Sequence, residues 1–451
     1  MSGANEWAGR QVLVVGLGVS GFAAARALIE VDAKVRVTEG ASSETIESRA
    51  SLLRDMGAHV ETGGHDLSAL DADVAIVSPG IPPSAPIVRA VNDRGISLLS
   101  EVELAYQLAR CDFLAVTGTN GKTTTTSLLA TMLDRAGIAS VAAGNIGDPL
   151  VDAALSIPEG GAVAVEVSSF QLATIDCFRP RVAVVLNVAE DHTDWHGTFE
   201  DYAAAKARIF ENQTEQDAAV VNADDAVAPS LMGEARSRRV PFSSWRVPRE
   251  GAGIDGDRIV VFEEVVATTD DVSLPGAAGL EDSVAAAAAA FLYGVQPAAI
   301  QEALRSFRPL AHRLEHVATV DGVPYIDDSK ATNPHATVSA LQGMDDVVLI
   351  AGGRSKGIDL GPLSDMAPAL RAVIALGEAR DELVRILGNR VEVVPVDTMR
   401  DAVRLARAKA DGRGSVLLSP ACASLDMYSG YAARGTDFAN EVRELADQGG
   451  A

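Results

Sequence analysis

The stretch Val116-Thr117-Gly118-Thr119-Asn120-Gly121-Lys122-Thr123-Thr124-Thr125-Thr126, VTGTNGKTTTT, decides the fold of the middle of the chain. A strand-like run at 113–116 precedes it, and a helical pattern at 122–136 follows and stops at Gly137. Gly-Lys-Thr at a strand-to-helix junction is a phosphate-gripping loop. Consecutive N–H groups curl around phosphate oxygens, the Lys122 ammonium meets the terminal phosphates, and the Thr123 hydroxyl is a magnesium ligand type. The usual form is G-x-x-x-x-G-K-[ST], and here Val116 stands five before Gly121, so the spacing differs while the chemistry survives.

A second phosphate loop stands about a hundred residues earlier. VVGLGVSG, residues 14–21, places Gly16, Gly18 and Gly21 after a strand-like run at 11–15 and before a helical pattern at 21–31. Glu39 ends the next strand, at 34–38. This is the context of a dinucleotide fingerprint, in which glycines let the backbone approach a diphosphate at a helix N-terminus. Alone it points to a nicotinamide dehydrogenase. Two loops in one chain point to two phosphorylated ligands: ATP on the second, and on the first a substrate carrying a diphosphate, such as a nucleotide sugar.

The bulk properties agree with an α/β protein of this size. The chain has 451 residues, which suggests two to four domains with three as the central expectation. Strands alternate with helical patterns throughout, so the fold class is α/β. Three domains are expected: a Rossmann-like N-terminal domain (1–110), a central P-loop ATPase-type domain with a mostly parallel sheet (111–308), and a C-terminal Rossmann-like α/β domain (309–451). Residues 218–266 are poor in helix signals and read as an antiparallel edge of the central sheet.

A net charge of −24 opposes binding to nucleic acid and to anionic membranes. The cysteines Cys111, Cys177 and Cys422 are scattered, which excludes a zinc knuckle and a disulfide framework. The N-terminus has no signal-peptide pattern, and no apolar run reaches about 18 residues, so a soluble cytoplasmic protein is expected. The sequence does not read out oligomeric state, and a monomer is the default expectation.

Chemistry-bearing residues gather after strands. AVEVSSFQL puts Glu166 at a strand end, before Ser168 and Ser169. LNVAEDHTDWHG packs Glu190, Asp191, His192, Asp194 and His196 into one turn region. These oxygen-rich groups suit Mg²⁺; His192 and His196 imitate a zinc helix but lack its glutamate. Lys206 sits in DYAAAKARIF, where its neighbours reveal no special role. In the last third, AHRLEHV offers His312, Arg313 and Glu315, and YIDDSKATN offers Asp328, Ser329, Lys330 and Thr332. IAGGRSKG offers Lys356, and SPACASLDMYSGY offers Ser419, Ser424 and Tyr431. Polar groups at three strand ends indicate a ligand face, and Arg313 and Lys330 could neutralise a transferring phosphoryl group.

Taken together, TGTNGKTT, GNIG, EVSSFQL, NVAEDHTDWHG, YAAAKARIF, HRLE, DDSKATN and GGRSKG resemble the Mur ligase family over nearly the full chain. The first glycine loop and SPACASLDMYSGYAARG are most similar to its D-glutamate-adding members; the DNPR element of the diaminopimelate- or lysine-adding relatives is missing. The alternative is another Mur ligase, or a folylpolyglutamate-synthetase-like ligase with a different amino acid or acceptor. The resemblance implies ATP-dependent joining of D-glutamate to UDP-N-acetylmuramoyl-L-alanine through an acyl phosphate, in peptidoglycan precursor synthesis. It implies two Mg²⁺ ions and a lysine carbamylated by CO₂.

By the same resemblance, Gly118, Thr119, Asn120, Gly121, Lys122, Thr123 and Thr124 would bind ATP with His312, Arg313 and Asp328. Thr123 and Glu166 would hold one Mg²⁺, and Glu166, His192 and carbamylated Lys206 the other. Val19, Ser20, Ser78, Gly80, Asn145 and His192 would meet the UDP-sugar. Lys330, Thr332, Lys356, Ser424, Leu425 and Tyr431 would place D-glutamate, with Lys330 also catalytic. Two departures stand out. GAAGLEDSV carries Ala278, Gly279 and Asp282 where many relatives show H-N-x-x-N ahead of an Ala-rich helix expected at 283–293, and Glu39 stands where some have Asp.

Overall fold

The structure, a computed structural model, describes residues 4–67, 70–308 and 310–449; the side chains of residues 4, 5, 194 and 448 lie outside the described set. Pro309, where the third domain was expected to begin, and the Asp194 carboxylate therefore lie outside it. The chain forms three α/β sheets within two compact units. One unit comprises Met1–Val188, Trp195–Asp271 and Asp282–Arg305; the other comprises Ala189–Asp194, Val272–Glu281 and Ser306–Ala451.

The first unit holds two sheets. Strands β1 (Gln11–Val15), β2 (Lys34–Thr38), β3 (His59–Glu61), β4 (Val74–Val77) and β5 (Ser97–Ser100) form a parallel sheet in the order 3-2-1-4-5. The order reverses beside β1, so the crevice after β1 and β4 is a ligand position of doubly wound sheets. Strands β6 (Asp112–Thr117), β7 (Ser140–Gly144), β8 (Ala162–Glu166), β9 (Val182–Val185), β10 (Ala218–Asn222), β11 (Arg238–Phe242), β12 (Ala252–Asp255), β13 (Arg258–Val261) and β14 (Glu264–Thr268) form the second sheet, in the order 14-13-12-11-10-9-6-8-7. Strand β6, which feeds the phosphate loop, is flanked by β8 and β9 and is buried almost throughout. Such a strand must be apolar on both faces, which FLAV supplies.

The antiparallel edge is narrower than the sequence suggested. β10 and β11 pair in parallel with their neighbours, and only β12–β13 and β13–β14 run antiparallel. The crossover into β11 is made by a short 3₁₀ turn, Ala228–Met232, which leaves little helical pattern to read. The hairpin between β12 and β13 has a two-residue loop, Gly256-Asp257, the shortest that antiparallel strands allow. The Ala-rich helix is also longer than expected, Gly276–Tyr293, so Ala278, Gly279 and Asp282 lie inside it. The helix after the first loop begins at Val19, two residues earlier than the pattern indicated.

Helix Glu101–Leu108 joins the two sheets of this unit through two buried carboxylates. Glu101 Oε1 accepts the Val151 N–H at 2.8 Å, in the first turn of helix Leu150–Ser156. Glu103 accepts the N–H groups of Asp176 (2.8 Å) and Phe178 (2.9 Å). One apolar cluster runs from Val12 and Val14 through Leu104 and Leu108 to Phe113, Val165 and Phe178.

The second unit carries strands β15 (Glu315–Val320), β16 (Val323–Asp327), β17 (Val347–Gly352), β18 (Leu370–Leu376), β19 (Glu392–Pro395) and β20 (Ser415–Leu418) in the order 15-16-20-17-18-19. All pairs are parallel except the hairpin β15–β16. Consequently β16, β17 and β20 end side by side, and their following loops open on one edge. No helix among the described residues is long and apolar enough to cross a membrane.

Candidate active site

The phosphate loop turns sharply because Gly121 adopts φ +82° as the N-cap of helix Lys122–Arg135. A Cβ there would overlap Asp282 Oδ1, so the position requires glycine twice over. The loop is braced from β9: Thr119 N–H donates to the Asn187 carbonyl at 2.9 Å, and Asn120 N–H donates to Asn187 Oδ1 at 2.8 Å. Asp282 accepts from Thr125 Oγ1 at 3.1 Å, tying the Ala-rich helix to the helix of the loop. Lys122 Nζ donates to the carbonyls of Gly118 (2.9 Å) and Thr119 (2.8 Å), which holds the ammonium across the loop. A helix N-terminus with a lysine folded over it is an anion site.

Two further groups converge on this loop. Register pairs Val116 of β6 with Glu166 of β8, and Gly144 of β7 with the same Glu166. Glu166 is 2% exposed; Oε1 accepts from Asn145 Nδ2 at 2.9 Å, and Oε2 is buried without a hydrogen-bond partner. A buried, orphaned carboxylate oxygen is costly unless something positive meets it. With the Thr123 hydroxyl on the adjacent helix, it is a hard-oxygen donor set that fits Mg²⁺. Lys206, on helix Phe199–Ala207, also reaches the loop. Its Nζ donates to the Gly118 carbonyl at 2.7 Å and lies 4.6 Å from the centre of the Tyr202 ring, while Tyr202 OH meets Thr119 Oγ1 at 3.0 Å. Lys206 is 1% exposed, and nothing in DYAAAKARIF distinguishes it from a surface lysine.

His196 belongs to an aromatic stack: its Nε2 lies 2.9 Å from Ser169 Oγ, and its ring stacks on Phe170 at 5.5 Å. That engagement accounts for the second histidine of the zinc-like spacing.

In the first sheet, Gly21 packs so closely on Gly16 that a Cβ would overlap the Gly16 carbonyl. Glu39 accepts the N–H of Leu17 at 2.6 Å and of Ala41 at 2.8 Å, so its carboxylate holds the glycine loop in shape. Val19 is 59% exposed at the start of its helix, and Ser78, after β4, has a buried hydroxyl without a partner. Gly80 and Asn145 are exposed.

In the second unit, Asp191 is the hub of a small polar cluster. Oδ1 accepts from Lys356 Nζ at 3.0 Å and Oδ2 from Asn333 Nδ2 at 3.3 Å. Burial works to raise the pKa of Asp191, but the charges of His192 and Lys356 outweigh it and hold the carboxyl below the usual range. His192 and Lys356 both have positive φ, 54° and 57°, a strain that clusters at functional sites. Lys330 Nζ stands 5.1 Å from the centre of the Tyr431 ring. Ser424 is buried, Thr332 half-buried, and Leu425 61% exposed. His312 Nδ1 and Asp327 Oδ2 are 2.7 Å apart. Asp328 accepts from Ser419 Oγ at 2.9 Å; burial pushes its carboxyl up to about 7, against that hydrogen bond and the charge of Arg313. A further buried group is Arg434, which no motif of the sequence marks as such. It is 2% exposed on helix Tyr431–Gly449, and nothing in YAARG distinguishes it from a surface arginine.

Family models match three consecutive blocks: the Mur ligase MurD-like N-terminal domain over residues 10–100, the Mur ligase middle domain over 116–290, and the Mur ligase glutamate ligase domain over 312–422. The UDP-N-acetylmuramoylalanine–D-glutamate ligase of Frankia casuarinae is 45% identical, across 97% of this chain and 95% of its own. The protein of the same name in Geobacillus kaustophilus is 42% identical, across 97% and 98%. The solved UDP-N-acetylmuramate-alanine ligase of Thermotoga maritima shares the fold, with a TM-score of 0.60 at 18% identity over 96% of this chain and 99% of that one.

Proposed function

Because this chain belongs to the Mur ligase family, we propose that it joins D-glutamate to UDP-N-acetylmuramoyl-L-alanine at the expense of ATP, in the cytoplasm. The observation that carries the reading is the loop 118–123, with Lys122, Lys206 and the orphaned oxygen of Glu166 gathered on it, in a chain alike over nearly its whole length to D-glutamate ligases.

The chemistry follows from the inertness of a carboxylate. One oxygen of the L-alanyl carboxylate attacks the γ-phosphorus of ATP, the bond to the bridging oxygen breaks, and ADP leaves with that electron pair. The acyl phosphate now has a good leaving group. The amine of D-glutamate attacks the acyl carbon, a proton is lost from nitrogen, and phosphate departs from the tetrahedral intermediate. Residues 118–124 cradle the phosphates, and Lys122 neutralises charge on the moving phosphoryl group. His312, Arg313 and Asp328 serve the nucleotide. Thr123 and Glu166 would hold one Mg²⁺, and Glu166, His192 and a carbamate on Lys206 are the groups proposed for a second; such ions supply charge neutralisation at phosphate oxygens.

The first domain (1–110) takes the UDP-sugar with Val19, Ser20, Ser78 and Gly80, joined by Asn145 and His192. The central domain (111–308) takes ATP. The third (309–451) takes the amino acid with Lys330, Thr332, Lys356, Ser424, Leu425 and Tyr431; lysines suit a ligand with two carboxylates. The test is phosphate release from ATP across a panel of D- and L-amino acids, with and without UDP-N-acetylmuramoyl-L-alanine. Release that needs both the sugar nucleotide and D-glutamate supports the reading. Release independent of any amino acid defeats it.

A further inference from the structure

Arg434 is an arginine buried among oxygen atoms with no carboxylate among its hydrogen-bond partners. Nε donates to Ser329 Oγ at 3.0 Å and Nη2 to the Ser329 carbonyl at 2.8 Å. Nη1 donates to the carbonyls of Cys422 (3.1 Å) and Gly352 (3.4 Å). Those three residues stand at the end of β17 and in the loops that follow β16 and β20, the three strands that finish side by side. The loops are the ones that carry Lys330 and Thr332, Lys356, and Ser424. Ser329 Oγ also donates to the Tyr431 carbonyl at 2.8 Å, closing the set onto the start of the helix that bears Arg434.

A guanidinium has five donors in a rigid plane, so one side chain can fix several carbonyls at once; lysine, with a compact charge, cannot copy that geometry. The carboxylates of Asp426 and Asp327 act on the guanidinium from nearby, so what Arg434 contributes to the loops is its donor geometry. Burial pulls the Arg434 pKa down to about 10, against the nearby Cys422 and Asp426, so the group is still charged at neutral pH.

We infer that Arg434 is the positioning residue of the amino-acid face: its guanidinium sets the spacing of the three loops that carry Lys330, Thr332, Lys356 and Ser424. The inference rests on the assignment of those loops to the amino acid. It implies that Arg434 acts on affinity for the amino acid and leaves the other two substrates alone.

The test is steady-state kinetics of the full-length protein with each substrate varied in turn, for Arg434→Lys, Arg434→Met and Ser329→Ala. In Arg434→Lys, KM for D-glutamate should rise about tenfold or more while KM for ATP and for the sugar nucleotide stay within about twofold. Arg434→Met should raise it further, since it removes every donor. Ser329→Ala removes one anchor and keeps the charge, so a rise of about threefold is expected, and this milder variant carries the test if the arginine variants do not fold. Equal changes in all three KM values, or a lower melting temperature with unchanged kinetics, would overturn the inference. The unsubstituted protein provides the control: if it uses a different amino acid, the functional assignment fails, and the three variants still test Arg434 against whichever amino acid it does use.

Discussion

Lys206 Nζ donates to the carbonyl oxygen of Gly118 at 2.7 Å, from a side chain 1% exposed and 88 positions away in sequence. A buried amine thus supports the first residue of the phosphate loop. Lys206→Ala removes that support and any carbamate formed on the nitrogen. Phosphate release should fall by about a hundredfold or more, and short carboxylates added to the assay should restore part of it. Normal activity without rescue would remove the carbamate from the proposed function.

Lys122→Ala should abolish turnover, with a loss of about a thousandfold or more in kcat/KM, because a charge aimed at the moving phosphoryl group is gone. The side chain is half-buried and outside the apolar cluster, so circular dichroism and melting temperature should stay close to those of the unsubstituted protein. Near-normal turnover would show that the loop does not handle the transferred phosphate.

Gly121→Ala should damage the loop itself. The residue must keep φ near +82°, and its Cβ would meet Asp282 Oδ1. A destabilisation of about 1–3 kcal/mol is expected, together with loss of ATP binding. Calorimetric melting and equilibrium binding of ATP read the two effects separately.

Glu101 gives stability a pH dependence. Burial, opposed by the Val151 N–H, raises its pKa from 4.5 to about 7. Below about 4.5 the folded and unfolded chains both hold the proton. Between about 4.5 and 7 only the folded chain does, so this contribution to stability falls as pH rises, and it is lost above about 7. Glu101→Gln keeps an oxygen for Val151 and never ionises. Its unfolding free energy, followed through melting profiles, should gain on that of the unsubstituted protein from pH 5 to pH 8, by an amount on the order of 1–3 kcal/mol. Parallel melting profiles would show that Glu101 does not titrate in this range.

The motifs were legible because each is local. The phosphate loop, the glycine loop and the strand ends at Glu166, Asp328 and Lys356 are each written in about a dozen consecutive residues, with strand and helix periodicity on either side. The narrow antiparallel edge was not legible, because the crossover from β10 into β11 is a short 3₁₀ turn without the helical pattern that announces parallel strands. Asp282 read as a departure from a motif ahead of a helix; it is a hydrogen-bond acceptor for Thr125 within one.

Sequence alone determined the α/β class, the two phosphate loops and the inventory of lysines, histidines and carboxylates, since backbone conformation and apolar periodicity are set by neighbours along the chain. Only the tertiary structure decided what those groups touch. It buried Lys206 against Gly118, left Glu166 Oε2 without a partner, set Lys356 on Asp191, 165 positions away, and aimed Arg434 at Ser329, Gly352 and Cys422. Hydrogen bonds of that sequence separation exist only after sheets form and their ends align, and no local pattern encodes them.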